Sequence, residues 1–146
     1  MSRRLRLGMI GGGRGAFIGA VHRMAARLDD RYELVAGAFS SDPQRSRDSG
    51  AELLLDPGRC YGSVDDMVRA EGARTDRIDV AAVVTPNHLH HVATKKFLEA
   101  GCHVICDKPL TTTVADAADL VSTAERARRV LAVTYNYLYG DRKSVV

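Results

Sequence analysis

The sequence predicts a doubly wound α/β domain built on a parallel sheet. Three observations predict it. Short apolar, β-branched runs alternate with longer stretches of helical period; a glycine-rich turn follows the first run; and polar clusters close the later runs, at the strand ends where such sheets open a ligand crevice. Together they form the pattern of a dinucleotide-binding (Rossmann NAD(P)-binding) domain. The length of 146 residues suits one ordinary domain and excludes two full ones.

The first run, residues 5–10 (LRLGMI), reads as a buried strand, and the glycines after it open a helix near 18–28 marked by Ile18, Val21, Met24 and Ala25. Residues 32–39 (YELVAGAF) give a second strand. Ser41-Asp42-Pro43 then starts a helix over 43–54, with an acidic cap and proline in its first turn. A helix at 64–70 precedes the third strand, 78–85 (IDVAAVVT). The next helix, 88–100, is expected to be capped by Asn87 and stopped by Gly101 in a left-handed conformation. Residues 102–107 (CHVICD) form the fourth strand. Val114, Ala117, Ala118 and Val121 put one apolar stripe on a helix over 114–128, and 130–135 (VLAVTY) closes the series. Strands joined by crossover helices run parallel in one sheet, with right-handed crossovers.

Composition narrows the function. Charged residues total 21 Lys and Arg against 18 Asp and Glu, an excess too small for a nucleic-acid footprint. No stretch approaches the roughly 18 apolar residues of a membrane span, so no membrane partner is expected. Cys60, Cys102 and Cys106 are an odd set behind no secretion signal, which places the chain in a reducing cytoplasm. His88, His90 and His91 are dense enough to suggest a metal, but no Cys, Asp or Glu follows at ligand spacing, so they read as helix-start and crevice histidines and no metal is expected. His22 is expected to pack within its own helix, Lys95 and Lys96 to form a solvated face, and Arg126, Arg128 and Arg129 to complement the negative end of theirs.

The chemistry starts at Gly11-Gly12-Gly13-Arg14-Gly15-Ala16. Read as G-x-G-x-x-G/A, the fingerprint is Gly11 for the tight turn, Gly13 for the approach of backbone to a pyrophosphate, and Ala16 as the small residue that lets helix and strand pack closely. Free N–H groups at the helix start then face the anion. A plain connecting turn would need fewer glycines. Arg14 is either a phosphate-side charge or a solvated side chain. At the end of the second strand, where NAD-binding folds place a ribose-binding carboxylate, stand Ser40 and Ser41, with Arg45 beyond; Ser and Arg can hold a 2′-phosphate, so the pattern leans to NADP, with NAD open because Asp42 is close by. Thr85-Pro86-Asn87 and Asp107-Lys108-Pro109 end two later strands on the same edge.

These residues resemble the Gfo/Idh/MocA oxidoreductase family, the group of glucose-fructose oxidoreductase and inositol dehydrogenase. The matching pieces are GMIGGGRGAFIGAVH at 8–22, TPNHLH at 85–90, AGCHVICDKPL at 100–110 and VTYNY at 133–137. The resemblance implies a nicotinamide coenzyme across the crevice and hydride moved to or from a carbon of a sugar or polyol. The residues expected at the coenzyme are Gly11, Gly13, Arg14, Ala16, Phe17 and Ile18 around the pyrophosphate, Ser40, Ser41 and Arg45 at the adenosine ribose, and Thr85, Pro86, Asn87, His90, Asp107 and Lys108 on the nicotinamide side, where the resemblance itself supplies Pro86, Asn87, His90 and Lys108. Lys108 corresponds to the lysine of the family's E-K-P motif, the catalytic group that reaches the substrate hydroxyl, with Asp107 where glutamate is commoner. Buried beside a cationic ring, such a lysine should have its proton affinity lowered. The family's substrate pocket lies in a second α/β domain, missing here, so 1–137 is expected to be the dinucleotide-binding domain and 138–146 an irregular tail at a truncation. Turnover by the chain alone is then not expected, and a homo-oligomer is left open, since family members associate through the absent sheet. The rival readings are a non-catalytic dinucleotide sensor, which Lys108 disfavours, and an inactive remnant.

Overall fold

The computed structural model describes residues 3–135, so the end of the VTYNY segment and the expected tail at 138–146 lie outside the described residues. Five strands, β1 (Leu5–Gly11), β2 (Tyr32–Ala38), β3 (Val80–Val84), β4 (His103–Cys106) and β5 (Leu131–Val133), alternate with five helices, α1 (Phe17–Arg27), α2 (Pro43–Glu52), α3 (Val64–Gly72), α4 (His90–Glu99) and α5 (Val114–Ala127). All pairings are parallel and the order is β2-β1-β3-β4-β5. The chain leaves β1 on one side to make β2 and returns on the other to make β3, so the topological switch point, where such sheets take ligands, lies between β1 and β3. Beyond β2 a single parallel bridge, Gly37 to Cys60, stands in place of a sixth strand, with the Tyr61 amide donating to the Gly37 carbonyl at 2.8 Å.

Register explains the near-continuous apolar runs. Ala81, Val104 and Leu131 lie side by side on one face, and Ala82, Ile105 and Ala132 on the other. The first face packs Ile10, Val83 and Val104 against Met67 of α3, Phe97 and Leu98 of α4, and Leu120 of α5. The second packs Met9, Ala82 and Val84 against Ile18 and Ala26 of α1 and Leu53 after α2. A parallel sheet covered on both faces needs apolar residues at successive positions, and β3 (VAAVV) is buried throughout.

Most expected ends are observed. Asp42 accepts from the amides of Gln44 (2.8 Å) and Arg45 (3.2 Å) with Pro43 as the first residue of α2, and Gly101 follows α4 at φ 82°. Asn87 is a correction. Its side chain makes no capping bond; the Leu89 amide bonds the Pro86 carbonyl at 2.9 Å, closing a 3₁₀ turn over Asn87–Leu89 that puts Asn87 inside the turn instead of ahead of α4. The expected solvated lysine face is also corrected, because carboxylates on neighbouring helices lie within reach: Lys95 donates to Asp119 of α5 at 2.9 Å, and Lys96 pairs with Asp65 of α3. Of the arginines expected to complement α5, Arg126 bonds Thr123, while Arg129 Nε donates to the Gly101 carbonyl at 2.6 Å and so holds the turn after α4.

Candidate functional site

At the switch point the chain turns sharply. Gly11 and Gly12 sit at φ 78° and 70°, in the left-handed region, and a Cβ on Gly11 would come 2.9 Å from the Val84 carbonyl, so the turn hugs the end of β3. The Ala16 amide bonds the Gly13 carbonyl at 3.0 Å, and Ala16 is the extended residue that opens α1. It supplies no side-chain cap, and no acidic residue lies in the first turn. Among the described residues the N–H groups of that turn have no side-chain acceptor, and the helix dipole favours an anion there. A pyrophosphate fits this cradle.

The small residue that brings helix and strand together is not Ala16 but Gly19. A methyl on Gly19 would overlap the Cα and carbonyl oxygen of Gly12, and one on Gly12 would stand 2.8 Å from Gly19 Cα and from Val84 Cγ2. The turn is longer than the G-x-G-x-x-G spacing, which moves the packing glycine one helical turn further into α1. Its signal was a buried-face glycine three residues before His22. The turn is also tied to its surroundings: the Arg14 amide donates to Ser49 Oγ at 3.0 Å, and Arg23, which the sequence reading missed, donates to the Gly12 carbonyl at 2.7 Å. The Arg14 side chain is exposed and paired with Glu52 of α2, so it meets neither of its two expected descriptions in full. A cleft of about 410 Å³ opens on the α2 side of the turn, with Phe17, Arg23 and Ser49 in its lining.

Ser40, Ser41 and Arg45 lie at the end of β2 and the start of α2. Ser40 Oγ accepts the Asp42 amide at 3.1 Å, while Ser41 and Arg45 are exposed. Asp42 Oδ1 accepts both of the amides that the side chain caps.

Register sets Val83 beside Cys106, so the turns after β3 and β4 adjoin, and the Asp107 amide donates to the Val83 carbonyl at 2.9 Å. Pro86 and Asn87 are exposed at the crevice, and the buried Thr85 hydroxyl has no hydrogen-bond partner among the described residues. His90, expected to face the nicotinamide, is fully buried beneath both turns. Its Nδ1 lies 2.7 Å from the Pro109 carbonyl and its Nε2 2.8 Å from that of Thr85. Both ring nitrogens are engaged by the protein, and contact with a ligand passes through the turns they hold.

Lys108 is exposed, which corrects the expectation of a buried lysine: its turn carries it past the end of β4, and no described element covers it. It borders a cleft of about 230 Å³ with Ile18, Val21, His22, Asp107 and Thr134. The sequence reading placed His22 within its own helix and did not single out Thr134. In the structure His22 Nε2 lies 3.7 Å from Asp107 Oδ1, to which Thr134 Oγ1 donates at 2.9 Å. Ile18, His22 and Ala25 recur at four and three residues, the spacing of one helix face, and that was the available signal. Burial pulls the His22 imidazole below its ordinary value, against the opposing pull of Asp107. Among the described residues no three His, Cys, Asp or Glu side chains come together as metal ligands.

A family model described as oxidoreductase family, NAD-binding Rossmann fold, matches residues 5–135. The chain belongs to the Gfo/Idh/MocA oxidoreductase family. It is 41% identical over 138 residues to the uncharacterized oxidoreductase YfiI of Bacillus subtilis (strain 168), covering 94% of this chain and 35% of that protein. Among solved structures of the family, an inositol dehydrogenase homolog from Azotobacter vinelandii complexed with NADH and myo-inositol superposes with TM-score 0.91 at 44% identity, covering 94% of this chain and 36% of that one. An oxidoreductase from Sinorhizobium meliloti gives 0.88 at 54% identity, over 93% and 38%. The chain thus carries the NAD-binding Rossmann fold of the family and spans about a third of the length of these relatives.

Two measurements check the geometry. Gly19→Ala is expected to lose about 1–3 kcal/mol of unfolding free energy in urea, the usual penalty for a methyl with no space; an unchanged midpoint would mean that α1 does not rest on the glycine turn. For His22 the folded state favours the neutral ring, so as pH falls below the ordinary histidine value of 6.5 the unfolded chain takes up protons first and stability drops. The thermal midpoint should decline below pH 6.5, and His22→Gln should flatten that decline relative to the unmodified chain.

Proposed function

We propose that this chain is the coenzyme-holding domain of an NAD(P)-dependent oxidoreductase that acts on a hydroxyl-bearing carbon of a sugar or polyol. The observation that carries the reading is the start of α1, uncapped and free of acidic residues behind a turn of left-handed glycines, at the switch point of the sheet. Gly11, Gly13, Ala16 and the first amides of α1, near Phe17 and Ile18, would hold the diphosphate. Thr85, Pro86 and Asn87 would line the nicotinamide side. A bound nicotinamide would supply the hydride acceptor or donor. Lys108 borders the same cleft as Ile18, and there its amine would exchange a proton with a substrate hydroxyl, while Asp107, held by Thr134, steadies the turn before it.

The lean to NADP is supported by Asp42. Its carboxylate is directed to the amides of Gln44 and Arg45, which leaves Ser40, Ser41 and the Arg45 guanidinium to meet a 2′-phosphate. The class of substrate is supported by the relative that holds myo-inositol beside NADH. Hydride transfer requires that substrate be held at reacting distance, so turnover is proposed for a longer protein that contains this domain and a substrate domain. A reducing cytoplasm is supported by the thiols: all three are free, and burial pushes Cys106 up to about 11, which keeps it protonated and inert.

Calorimetric titration of the chain should show binding of both coenzymes, tighter for NADPH. Arg45→Ala should weaken NADPH by about tenfold, the loss of one charge-assisted hydrogen bond, and leave NADH within twofold. Heat signals absent for both coenzymes would refute the reading. In a longer protein that carries this domain, Lys108→Ala should lower turnover by about 10²-fold or more while coenzyme affinity stays within a few fold; normal turnover would remove Lys108 from the chemistry.

A further inference from the structure

The two turns that would meet the nicotinamide share an unusual dependence. Each contains a proline, Pro86 in one and Pro109 in the other, and a proline has no amide N–H with which to tie itself down. One side chain bridges the two turns directly. His90 is fully buried, and its ring spans from the carbonyl of Thr85, just ahead of Pro86, to that of Pro109. It stands at the first position of α4, directly after the 3₁₀ turn that Pro86 and Asn87 begin. Lys108 is the residue before Pro109. A displacement of the Thr85-Pro86-Asn87 turn is therefore one imidazole away from the backbone that carries the lysine.

The chemistry of the ring makes this link responsive. A carbonyl oxygen only accepts, so each of the two contacts draws on an N–H of the ring. The ring is rigid and planar, so a shift of either carbonyl turns it against the other, and whatever strengthens or loosens the hold on one turn changes the hold on the second.

We propose that His90 is a positioning residue that couples the Thr85-Pro86-Asn87 turn to the Asp107-Lys108-Pro109 turn, so that coenzyme seated on the first sets the place of Lys108 in the second. The inference deepens the proposed coenzyme reading and rests on it. His90 touches neither coenzyme nor substrate and acts through the two carbonyls.

The test uses the chain labelled with ¹⁵N and NADH as the probe. On addition of NADH the ring ¹⁵N signals of the unmodified chain should move, although the ring is buried away from ligand; binding of NADH with unmoved ring signals overturns the proposal. His90→Phe keeps a planar ring and removes both bonds. It should bind NADH about three- to tenfold more weakly, the loss of one hydrogen bond, and the amides of Leu110 and Thr111 should no longer respond to NADH while that of Asn87 still does. A response of both turns like that of the unmodified chain overturns the coupling. Should the phenylalanine variant fail to fold, His90→Gln, whose one flexible amide nitrogen replaces two rigidly spaced ring nitrogens, should show a weakened response at Leu110 and Thr111, and an undiminished response at both turns has the same adverse meaning. If the unmodified chain does not bind NADH, the coenzyme reading fails by itself. The clamp is then read from hydrogen exchange of the Leu110 amide, expected to be about tenfold faster in the His90 variant, and an unchanged rate overturns it.

Discussion

The closeness of α1 to the end of β1 governs this edge of the sheet. Gly12 and Gly19 meet backbone to backbone, with room for neither to carry a side chain. That contact lets the helix begin directly over the switch point, and the helix start is what gives the turn its partial positive charge. A helix held off by one methyl would tilt its first amides away from the place where an anion must sit. The left-handed glycines, the Arg23 bond to the Gly12 carbonyl and the Ser49 bond to the Arg14 amide all maintain a shape that this approach makes necessary.

Around that contact, the polar groups divide into those the protein uses internally and those it leaves free. Asp42 caps α2, as its place before Pro43 implies, whereas His90, which from sequence looks like a group that faces a ligand, joins two turns. The Arg14 side chain is engaged by Glu52. Ser41, Arg45, Asn87 and Lys108 remain exposed. A charged residue contributes to a site only with the valence left after its own neighbours are served.

Much of the fold was legible because its signals are local or periodic. The five apolar runs, the Asp42-Pro43 start and Gly101 each express a constraint that a few adjacent residues satisfy by themselves. Asn87 was misread because cap and 3₁₀ turn share the same residue preferences, and only the bond from Leu89 to the Pro86 carbonyl decides between them. Gly19 was hidden by spacing, since the fingerprint assumes a shorter turn. The links from His22 to Asp107 and from Lys95 to Asp119 join residues 85 and 24 positions apart, and no pattern within one element records a partner on another. The position of Lys108 along the chain was read from its motif, but its exposure depends on what stands above it in space.

The bridge from Gly37 to Cys60 has a consequence for the margins of the sheet. A full sixth strand would have offered its own outer row of amides and carbonyls to solvent. Here one rung suffices, and the loop that makes it is pinned by the buried pairing of Arg59 with Glu71, to which Tyr61 also donates. The margin outside β2 is thereby hemmed, with no long ladder on which another strand could grow. Among the described residues β5 has a neighbour on one side only, so any lengthening of the sheet by a second molecule would be one-handed, starting from the margin of β5 and leaving the glycine turn three strands away.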